Sequence, residues 1–157
     1  MNDFLVIGGG IAGISAAARL SRLGNVTVLE AESGLGFHAS GRSAAMFVET
    51  YGSPSTVALN KASRDYLMSA DGGVLSPRGM MVIGTADTDA EFAHDMGAMA
   101  MEPMSFNEAR AIVPILNSEV ITGIGYHKDC LDVDTDRLIQ IFARYWRANR
   151  RQCEVFQ

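Results

Sequence analysis

The sequence predicts an α/β fold organised around a Rossmann-like βαβ unit, and three consecutive features of its first thirty residues support this prediction. Four apolar residues, Phe4–Ile7, are typical of a buried strand, and a helical pattern covers residues 11–23. A second apolar run, Val26–Leu29, predicts another strand and ends at Glu30. The first strand leads directly into a G-x-G-x-x-G motif, whose glycines are Gly8, Gly10 and Gly13. This order predicts two parallel strands with a helix packed against them.

Each part of this unit has a physical role in holding a dinucleotide. Gly8 permits a tight turn, Gly10 lets a pyrophosphate approach the backbone, and Gly13 lets the helix lie close to the sheet. The helix N-terminus adds unpaired N–H groups and the positive end of its dipole. Glu30, about 20 residues further on, can accept both hydroxyls of a ribose and would repel a 2′-phosphate, which disfavours NADP. The alternative is a glycine-rich turn beside a surface glutamate.

Composition and charge argue against several classes of function. Of the 157 residues, 48% are hydrophobic and 20% are charged, which is typical of a globular domain. The net charge is −5, and no basic run is present to bind nucleic acid or an anionic membrane surface. Cys130 and Cys153 have neither metal-ligand spacing nor a disulfide framework, and we expect no metal site. Without a signal peptide or an apolar run of about 18 residues, we expect no transmembrane segment and a location in the cytoplasm or at the periphery of the inner membrane.

The later elements are predicted from helix starts and apolar runs. Ser53 followed by Pro54 predicts a helix that continues to about Met68. Two capping-box patterns predict further helices, at Thr88-x-x-Glu91 and at Ser105-x-x-Glu108. Asp134 or Thr135 caps an amphipathic helix whose buried stripe is Leu138, Ile141, Phe142, Tyr145 and Trp146. Strands are predicted at 80–83, at 120–126 in the same sheet, and at 153–156.

The segment from Ala31 to Met46 has no periodicity, yet it lies between predicted elements. Long loops of this kind are usually either functional or disordered. Its Gly41-Arg42-Ser43-Ala44-Ala45 part is suited to backbone contacts with a flat or phosphorylated ligand. Arg42 either pairs with a phosphate or braces its own loop, and the alternative for the whole segment is a solvated surface loop.

Five segments carry a more specific likeness: Gly36 through Ala45, Tyr51-Gly52-Ser53-Pro54, Leu75-Ser76-Pro77-Arg78, Ile112-Val113-Pro114-Ile115-Leu116 and Asp132-Val133-Asp134-Thr135-Asp136. Together with the glycine motif and Glu30, they resemble the FAD-dependent D-amino-acid oxidase/dehydrogenase family, which includes glycine and sarcosine oxidases. The closest likeness is to bacterial D-arginine dehydrogenase-type enzymes. The resemblance covers essentially the whole chain in register.

The resemblance implies a division into two domains. Residues 1–50 and 134–157 would form the N-terminal part of an FAD-binding domain of the glutathione-reductase type. Residues 51–133 would form part of a mixed-sheet substrate domain with a helical insertion. In this family much of the fold would follow residue 157. We therefore expect either a fragment or a subunit whose partner chain supplies the rest of the flavin fold.

The cofactor implied is FAD, and most of the implied site residues are cofactor contacts. For the adenosine diphosphate half these are Gly8, Gly10, Ile11, Ala12, Gly13, Glu30 and Ala31. For the pyrophosphate and flavin side they are Ala39, Ser40, Gly41, Arg42, Ser43, Ala44, Ala45 and Met46. NAD binding by the same glycine motif is disfavoured, because the loop from Gly41 to Ala45 has no role in a simple NAD domain.

Three residues are expected at the substrate: Met46, Tyr51 and Met80. Tyr51 matches a family tyrosine that lies over the active site and orders the substrate, so it is the catalytic candidate; the alternative is a buried tyrosine at a loop–helix junction. Met46 and Met80 stand where arginine-preferring relatives carry a histidine and a glutamate. A thioether cannot pair with a cationic side chain, so we expect a neutral or apolar amino acid as substrate.

The implied reaction is oxidation of the CH–NH bond of a D-amino acid to an imine, which water hydrolyses to a 2-oxo acid and ammonia. The sequence does not distinguish an oxidase from a dehydrogenase, so the electron acceptor is either oxygen or a quinone. The competing hypothesis is a non-catalytic nucleotide-binding subunit, or a truncated fragment that needs a partner chain.

Overall fold

The computed structural model describes residues 2–149 and the backbone of residues 155–156, and it divides into two units. The first unit comprises Met1–Ala45, Ser69–Val74 and Val133–Gln157, and the second comprises Met46–Met68 and Leu75–Asp132. The domain boundaries expected from the sequence, 50/51 and 133/134, stay a prediction. Among the described residues, no helix is both long enough and apolar enough to cross a membrane.

The described residues contain nine strands and five α-helices. The strands are β1 (Phe4–Ile7), β2 (Val26–Leu29), β3 (Met46–Phe47), β4 (Leu75–Pro77), β5 (Met80–Thr85), β6 (Glu102–Pro103), β7 (Ile121–His127), β8 (Leu131–Val133) and β9 (Val155–Phe156). The helices are α1 (Ile11–Leu20), α2 (Pro54–Ser69), α3 (Asp89–Ala98), α4 (Phe106–Ile112) and α5 (Thr135–Ala148).

The first unit is a parallel sheet in the order β1-β2-β9, packed against α1 and α5. Both predicted strands of the βαβ unit are confirmed with their bounds. The burial expected for β1 is wrong, because Leu5 and Ile7, which share one face of the sheet, are 60% and 82% exposed. Val28 and Ile14 are fully buried. Trp146 of α5 is 0% exposed, and its indole Nε1 donates to the carbonyl oxygen of Val26 at 3.2 Å. This bond ties α5 to the central strand.

Helix α1 is shorter than predicted, since it ends at Leu20 rather than Leu23. The hydroxyl of Ser21 donates to the carbonyl of Ala18 at 2.9 Å, and the amides of Leu23 and Gly24 both donate to the carbonyl of Leu20. A serine that bonds to nearby backbone competes with helix continuation. The chain therefore turns here, and Leu23 is 77% exposed.

The second unit contains two sheets, in the orders β5-β7-β6 and β3-β8-β4. As predicted, the strand near 120–126 pairs with the strand near 80–83, and the pairing of β5 with β7 is antiparallel. Phe92 of α3 covers this sheet at two glycines, Gly84 and Gly123, where a Cβ atom would come within 3 Å of its ring. Helix α3 can lie close to the sheet because both positions lack side chains.

Only one of the two predicted capping boxes forms. The hydroxyl of Ser105 accepts the N–H of Glu108, whose carboxylate accepts the N–H of Ser105, so the box at α4 is confirmed. The helix predicted after Thr88 is present as α3, but the capping box predicted at Thr88-x-x-Glu91 is wrong, since the hydroxyl of Thr88 instead accepts the N–H of Thr85 at 3.0 Å. Thr88 has φ −124° and ψ 17°, away from the extended backbone of a capping residue, so its hydroxyl is used by the preceding turn.

The last helix and strand follow the sequence prediction. Asp134 is the cap of α5, and its carboxylate accepts the N–H of Arg137 at 2.9 Å. The buried residues of α5 include all of the predicted stripe except Tyr145, which is half-buried. The final strand is present at Val155–Phe156, while its predicted beginning at 153–154 lies outside the described residues.

Candidate functional site

The turn between β1 and α1 has the tight geometry that its glycines predict. Gly8 has φ +94°, which favours glycine, and its N–H donates to the carbonyl of Leu29 at 2.7 Å. At Gly13 a Cβ atom would lie well inside contact distance of the carbonyl oxygen of Gly8 and 3.4 Å from the side chain of Val6. The absence of a side chain at Gly13 therefore sets how closely α1 approaches the sheet.

The N-terminus of α1 presents open hydrogen-bond donors. The N–H of Ile11 donates to the hydroxyl of Ser40 at 3.0 Å. Across the described chain, the amides of Gly10, Ala12 and Gly13 have no acceptor, and the first turn of α1 carries no acidic residue. Unpaired amides and the positive end of the helix dipole make this an anion-binding site.

Glu30 is held at the carboxyl end of β2 by two backbone amides. Its Oε2 accepts the N–H of Gly9 at 2.6 Å and its Oε1 accepts the N–H of Glu32 at 3.0 Å. The bond from Glu32, followed by the bond from Gly9, lowers the pKa of Glu30 below its ordinary value of 4.5. The carboxylate is thus ionised and fixed at neutral pH, and each oxygen retains a lone pair for a ligand hydroxyl. Ala31 lies beside it and is exposed.

The segment from Gly36 to Ala45 folds back onto the glycine turn, as expected for an ordered loop. The N–H of Gly36 donates to the carbonyl of Gly9 at 3.0 Å, and a short 3₁₀ turn, Ala39–Gly41, brings Ser40 to α1. A Cβ atom on Gly41 would lie against the carbonyl oxygen of Gly36. The exposed residues of this loop are Phe37, His38, Ala39, Gly41, Arg42, Ser43 and Ala44.

Arg42 braces its own loop, which is one of the two roles the sequence leaves open. Its Nε donates to the carbonyl of Phe37 at 3.2 Å, and its guanidinium lies 5.3 Å from the centre of the Phe37 ring. The hydroxyl of Ser43 accepts the N–H of Ala45, which has φ +48°, and Ser43 keeps its own O–H for donation. The side chains of Arg42 and Ser43 are therefore both held in place within the loop.

An open cleft of about 280 Å³ lies where the loop meets α1, lined by Ile11, Ala39, Ser40, Ser43 and Thr135. Four of these residues are cofactor candidates from the sequence, and the structure brings them together. Thr135, the first residue of α5, is a lining residue that the sequence analysis missed as a site residue. The pattern at Asp134 and Thr135 indicated only a helix start, and its distance along the chain gave no sign that this helix begins at the cleft.

The three candidate substrate residues all lie in the second unit. Met46 is on β3 and is 43% exposed, and Met80 begins β5 of the other sheet and is half-buried. Tyr51 lies between β3 and α2 and is 55% exposed, so the alternative of a buried tyrosine is wrong. Within the described chain the hydroxyl of Tyr51 has no hydrogen-bond partner, which leaves it available to a ligand.

Comparison with known proteins agrees with this geometry. The model of the DAO family, described as FAD dependent oxidoreductase, matches residues 3–157. Glycine oxidase from Geobacillus kaustophilus has the same fold over 99% of this chain and 46% of its own, with a TM-score of 0.73 and 20% identity. L-proline dehydrogenase from P. horikoshii matches over 99% of this chain and 44% of its own, with a TM-score of 0.72 and 19% identity.

A third similar structure contains the cofactor. Dithionite-reduced L-α-glycerophosphate oxidase from Mycoplasma pneumoniae, with FAD bound, matches over 98% of this chain and 44% of its own, at a TM-score of 0.76 and 16% identity. The chain thus spans less than half the length of these three proteins. At these identities the structures show the shared fold.

The residues of the first unit fit FAD. The pyrophosphate of FAD is an anion that suits the open amides of Gly10, Ala12 and Gly13, and a side chain at Gly13 would fill the space that lets α1 present them. The ribose of its adenosine has two hydroxyl groups, which suit the ionised carboxylate of Glu30. The chain belongs to the DAO family of FAD-dependent oxidoreductases, and its cofactor is FAD.

Proposed function

We propose that this chain is the FAD-binding N-terminal part, or an FAD-binding subunit, of an oxidoreductase that oxidises the CH–NH bond of a D-amino acid. The observation that carries the proposal is the continuous cofactor surface from Glu30 through the α1 amides to the loop at Ser40 and Ser43. A simple mononucleotide site has no use for that loop. The bound FAD would supply the hydride acceptor, and the imine product would hydrolyse in water to a 2-oxo acid and ammonia.

The substrate class is supported by two lines of argument. Two of the proteins with the same fold, glycine oxidase and L-proline dehydrogenase, are named for amino acids. The motifs from Gly36 to Ala45 and from Leu75 to Arg78 additionally resemble those of D-arginine dehydrogenase-type enzymes. Kinship with that group, and the D configuration of the substrate, are therefore part of the proposal.

The chain's own residues would position the substrate and select its side chain. The exposed hydroxyl of Tyr51 would donate to or accept from the substrate's polar groups. Met46 and Met80 provide thioethers, which offer no counter-charge to a guanidinium or an ammonium group. We therefore propose a substrate with a neutral or apolar side chain.

The test uses the complete FAD-loaded enzyme that contains this chain, under anaerobic conditions. Flavin bleaching is followed after addition of D-methionine, D-leucine or D-arginine, with each L enantiomer as a control. We expect kcat/KM to be higher for D-methionine and D-leucine than for D-arginine. A higher kcat/KM for D-arginine would contradict the proposed side-chain preference. Bound FAD that no amino acid reduces would instead favour a non-catalytic subunit.

A pair of substitutions tests the role of Met80. Met80→Glu introduces a carboxylate at the proposed pocket and should raise kcat/KM for D-arginine relative to D-leucine. The matched control is Met68→Glu, because Met68 is exposed near the end of α2 and has no proposed role. If the two substitutions change the ratio of kcat/KM for D-arginine to kcat/KM for D-leucine equally, this would argue against a pocket at Met80.

A further inference from the structure

A second cleft, of about 530 Å³, lies within the second unit and is not explained by cofactor binding. Its lining residues are Glu49, Thr50, Arg64, Ala100, His127 and Asp129, and we call it the polar cleft. Its volume is within the range of about 300–1,000 Å³ typical of small-molecule sites. Apart from Ala100, every lining side chain can donate or accept a hydrogen bond.

Two lining residues of the polar cleft are neighbours of proposed substrate residues. His127, the last residue of β7, stands directly opposite Met80 in the antiparallel pairing of β5 and β7. Opposed residues of an antiparallel pair project from the same face of the sheet, so the two side chains are neighbours. On the other side of the cleft, Thr50 immediately precedes Tyr51. The register of one sheet and the end of one loop thus place the cleft beside Met80 and Tyr51.

The wall that carries Glu49 and Thr50 is held in place by α2. The side-chain amide of Asn60 donates to the carbonyl oxygens of Val48 and Tyr51, at 3.2 and 3.4 Å. These two bonds fix both ends of the segment that contains Glu49 and Thr50. Arg64, one turn further along α2, pairs with Glu49 at 3.3 Å. These contacts preform the wall before a ligand arrives, which lowers the entropy cost of binding.

The chemistry of the lining selects against two kinds of side chain. An apolar side chain would cover polar groups without replacing the hydrogen bonds they make to water, which costs free energy. A cationic side chain would be repelled by the guanidinium of Arg64, which already pairs with Glu49, and its remaining counter-charge, Asp129, is exposed to water, which screens it. A carboxamide is neutral and carries two N–H donors and a carbonyl acceptor. Its N–H groups suit Glu49 and Asp129, and its oxygen suits Arg64 or His127.

We propose that the polar cleft is the side-chain subsite of the substrate and that it selects an amino acid whose side chain ends in a carboxamide. This inference rests on the proposed function and narrows it from neutral or apolar side chains to glutamine- or asparagine-like ones. His127 is its main specificity-determining residue, because it joins the cleft to Met80.

The test measures binding to the FAD-loaded full chain, labelled with ¹⁵N, by titration with D-glutamine, D-leucine and D-arginine. We expect a Kd for D-glutamine at least about tenfold below those of D-leucine and D-arginine, which corresponds to about 1.4 kcal/mol. The amide signals of Thr50, Arg64, His127 and Asp129 should shift with D-glutamine. Asp129→Ala and His127→Phe should each reduce the preference for D-glutamine over D-leucine by about fivefold or more, from the loss of one hydrogen bond.

A histidine outside the cleft provides the matched control. His94 is exposed on α3, and His94→Phe should leave the preference unchanged. Asp129 is exposed, so Asp129→Ala keeps the proposal testable if His127→Phe does not fold. Equal affinity for D-leucine, tighter binding of D-arginine, or shifts confined to residues outside the cleft would each overturn this inference alone. Failure of every amino acid to bind would overturn the proposed function, and this inference with it.

Discussion

The sharpest test of the cofactor site is Gly13→Ala, which adds one methyl group where α1 meets the glycine turn. The new Cβ atom would collide with the carbonyl oxygen of Gly8 and would lie 3.0 Å from the carbonyl carbon of the same residue. Both are backbone atoms, so neither can turn aside as a side chain would. The N-terminus of α1 must therefore move away from β1.

The expected change in stability of Gly13→Ala is the sum of two opposing contributions, and the expected change in FAD affinity has one further cause. Alanine improves helix propensity over glycine by about 1 kcal/mol. Overpacking at a backbone contact costs about 1–3 kcal/mol, so the variant should be less stable by about 0–2 kcal/mol. The displaced helix should also lose at least one hydrogen bond from an α1 amide to the FAD pyrophosphate, and a bond to a charged group contributes about 1.5–3 kcal/mol. FAD affinity should therefore fall by about 10- to 150-fold.

The assay is a titration of apo-protein with FAD, followed by flavin fluorescence, alongside urea denaturation of the same samples. Gly97→Ala is the matched control, because Gly97 is also in a helix and a Cβ atom there would meet nothing within 4 Å. That variant should gain up to about 1 kcal/mol in stability and keep its affinity for FAD. A folded Gly13→Ala variant that binds FAD as tightly as the unmodified chain would refute the steric reasoning.

Two further predictions concern the sheet of the first unit. Since the pKa of Glu30 is lowered in the folded protein, its contribution to stability is present above the unfolded value, near 4.5, and is lost as pH falls through the lower folded value. As pH falls from neutral to acid, the melting temperature of Glu30→Gln should fall less than that of the unmodified chain or of a Glu91→Gln control. FAD affinity should fall only in Glu30→Gln. Trp146→Ala should cost about 3–5 kcal/mol in denaturant unfolding, while Trp146→Phe keeps the apolar body and loses about 1 kcal/mol with the bond to Val26. A Trp146→Ala midpoint equal to that of the unmodified chain would contradict the second prediction.

Local sequence features determined the elements that depend on one short, continuous run of residues. The bounds of β1 and β2 are as predicted because each is a short apolar run between residues that favour turns. The capping box at Ser105 formed for the same reason, since both partners lie within one turn. The box predicted at Thr88 did not form, although it has the same pattern. The hydroxyl of Thr88 instead bonds to the backbone N–H and the hydroxyl of Thr85. The capping-box pattern carries no information on this competing turn.

The candidate site also combines features that local sequence predicts with contacts that it does not predict. The glycine spacing and Glu30 predicted the dinucleotide site because each residue acts through its own backbone or carboxylate. The bonds that hold Glu30 to Gly9 and Ser40 to Ile11 join positions 21 and 29 residues apart, and they depend on how the chain returns to the turn. Sequence spacing carries no information on such contacts.

The sequence by itself determined the family, the cofactor and the presence of the βαβ unit, because these depend on short motifs whose chemistry is local. Only the tertiary structure placed Thr135 at the cleft between α1 and the loop, and His127 opposite Met80. The first depends on where a helix begins in space and the second on the register of two strands. Both are settled by packing and backbone pairing between segments far apart in the chain, which a single sequence does not record.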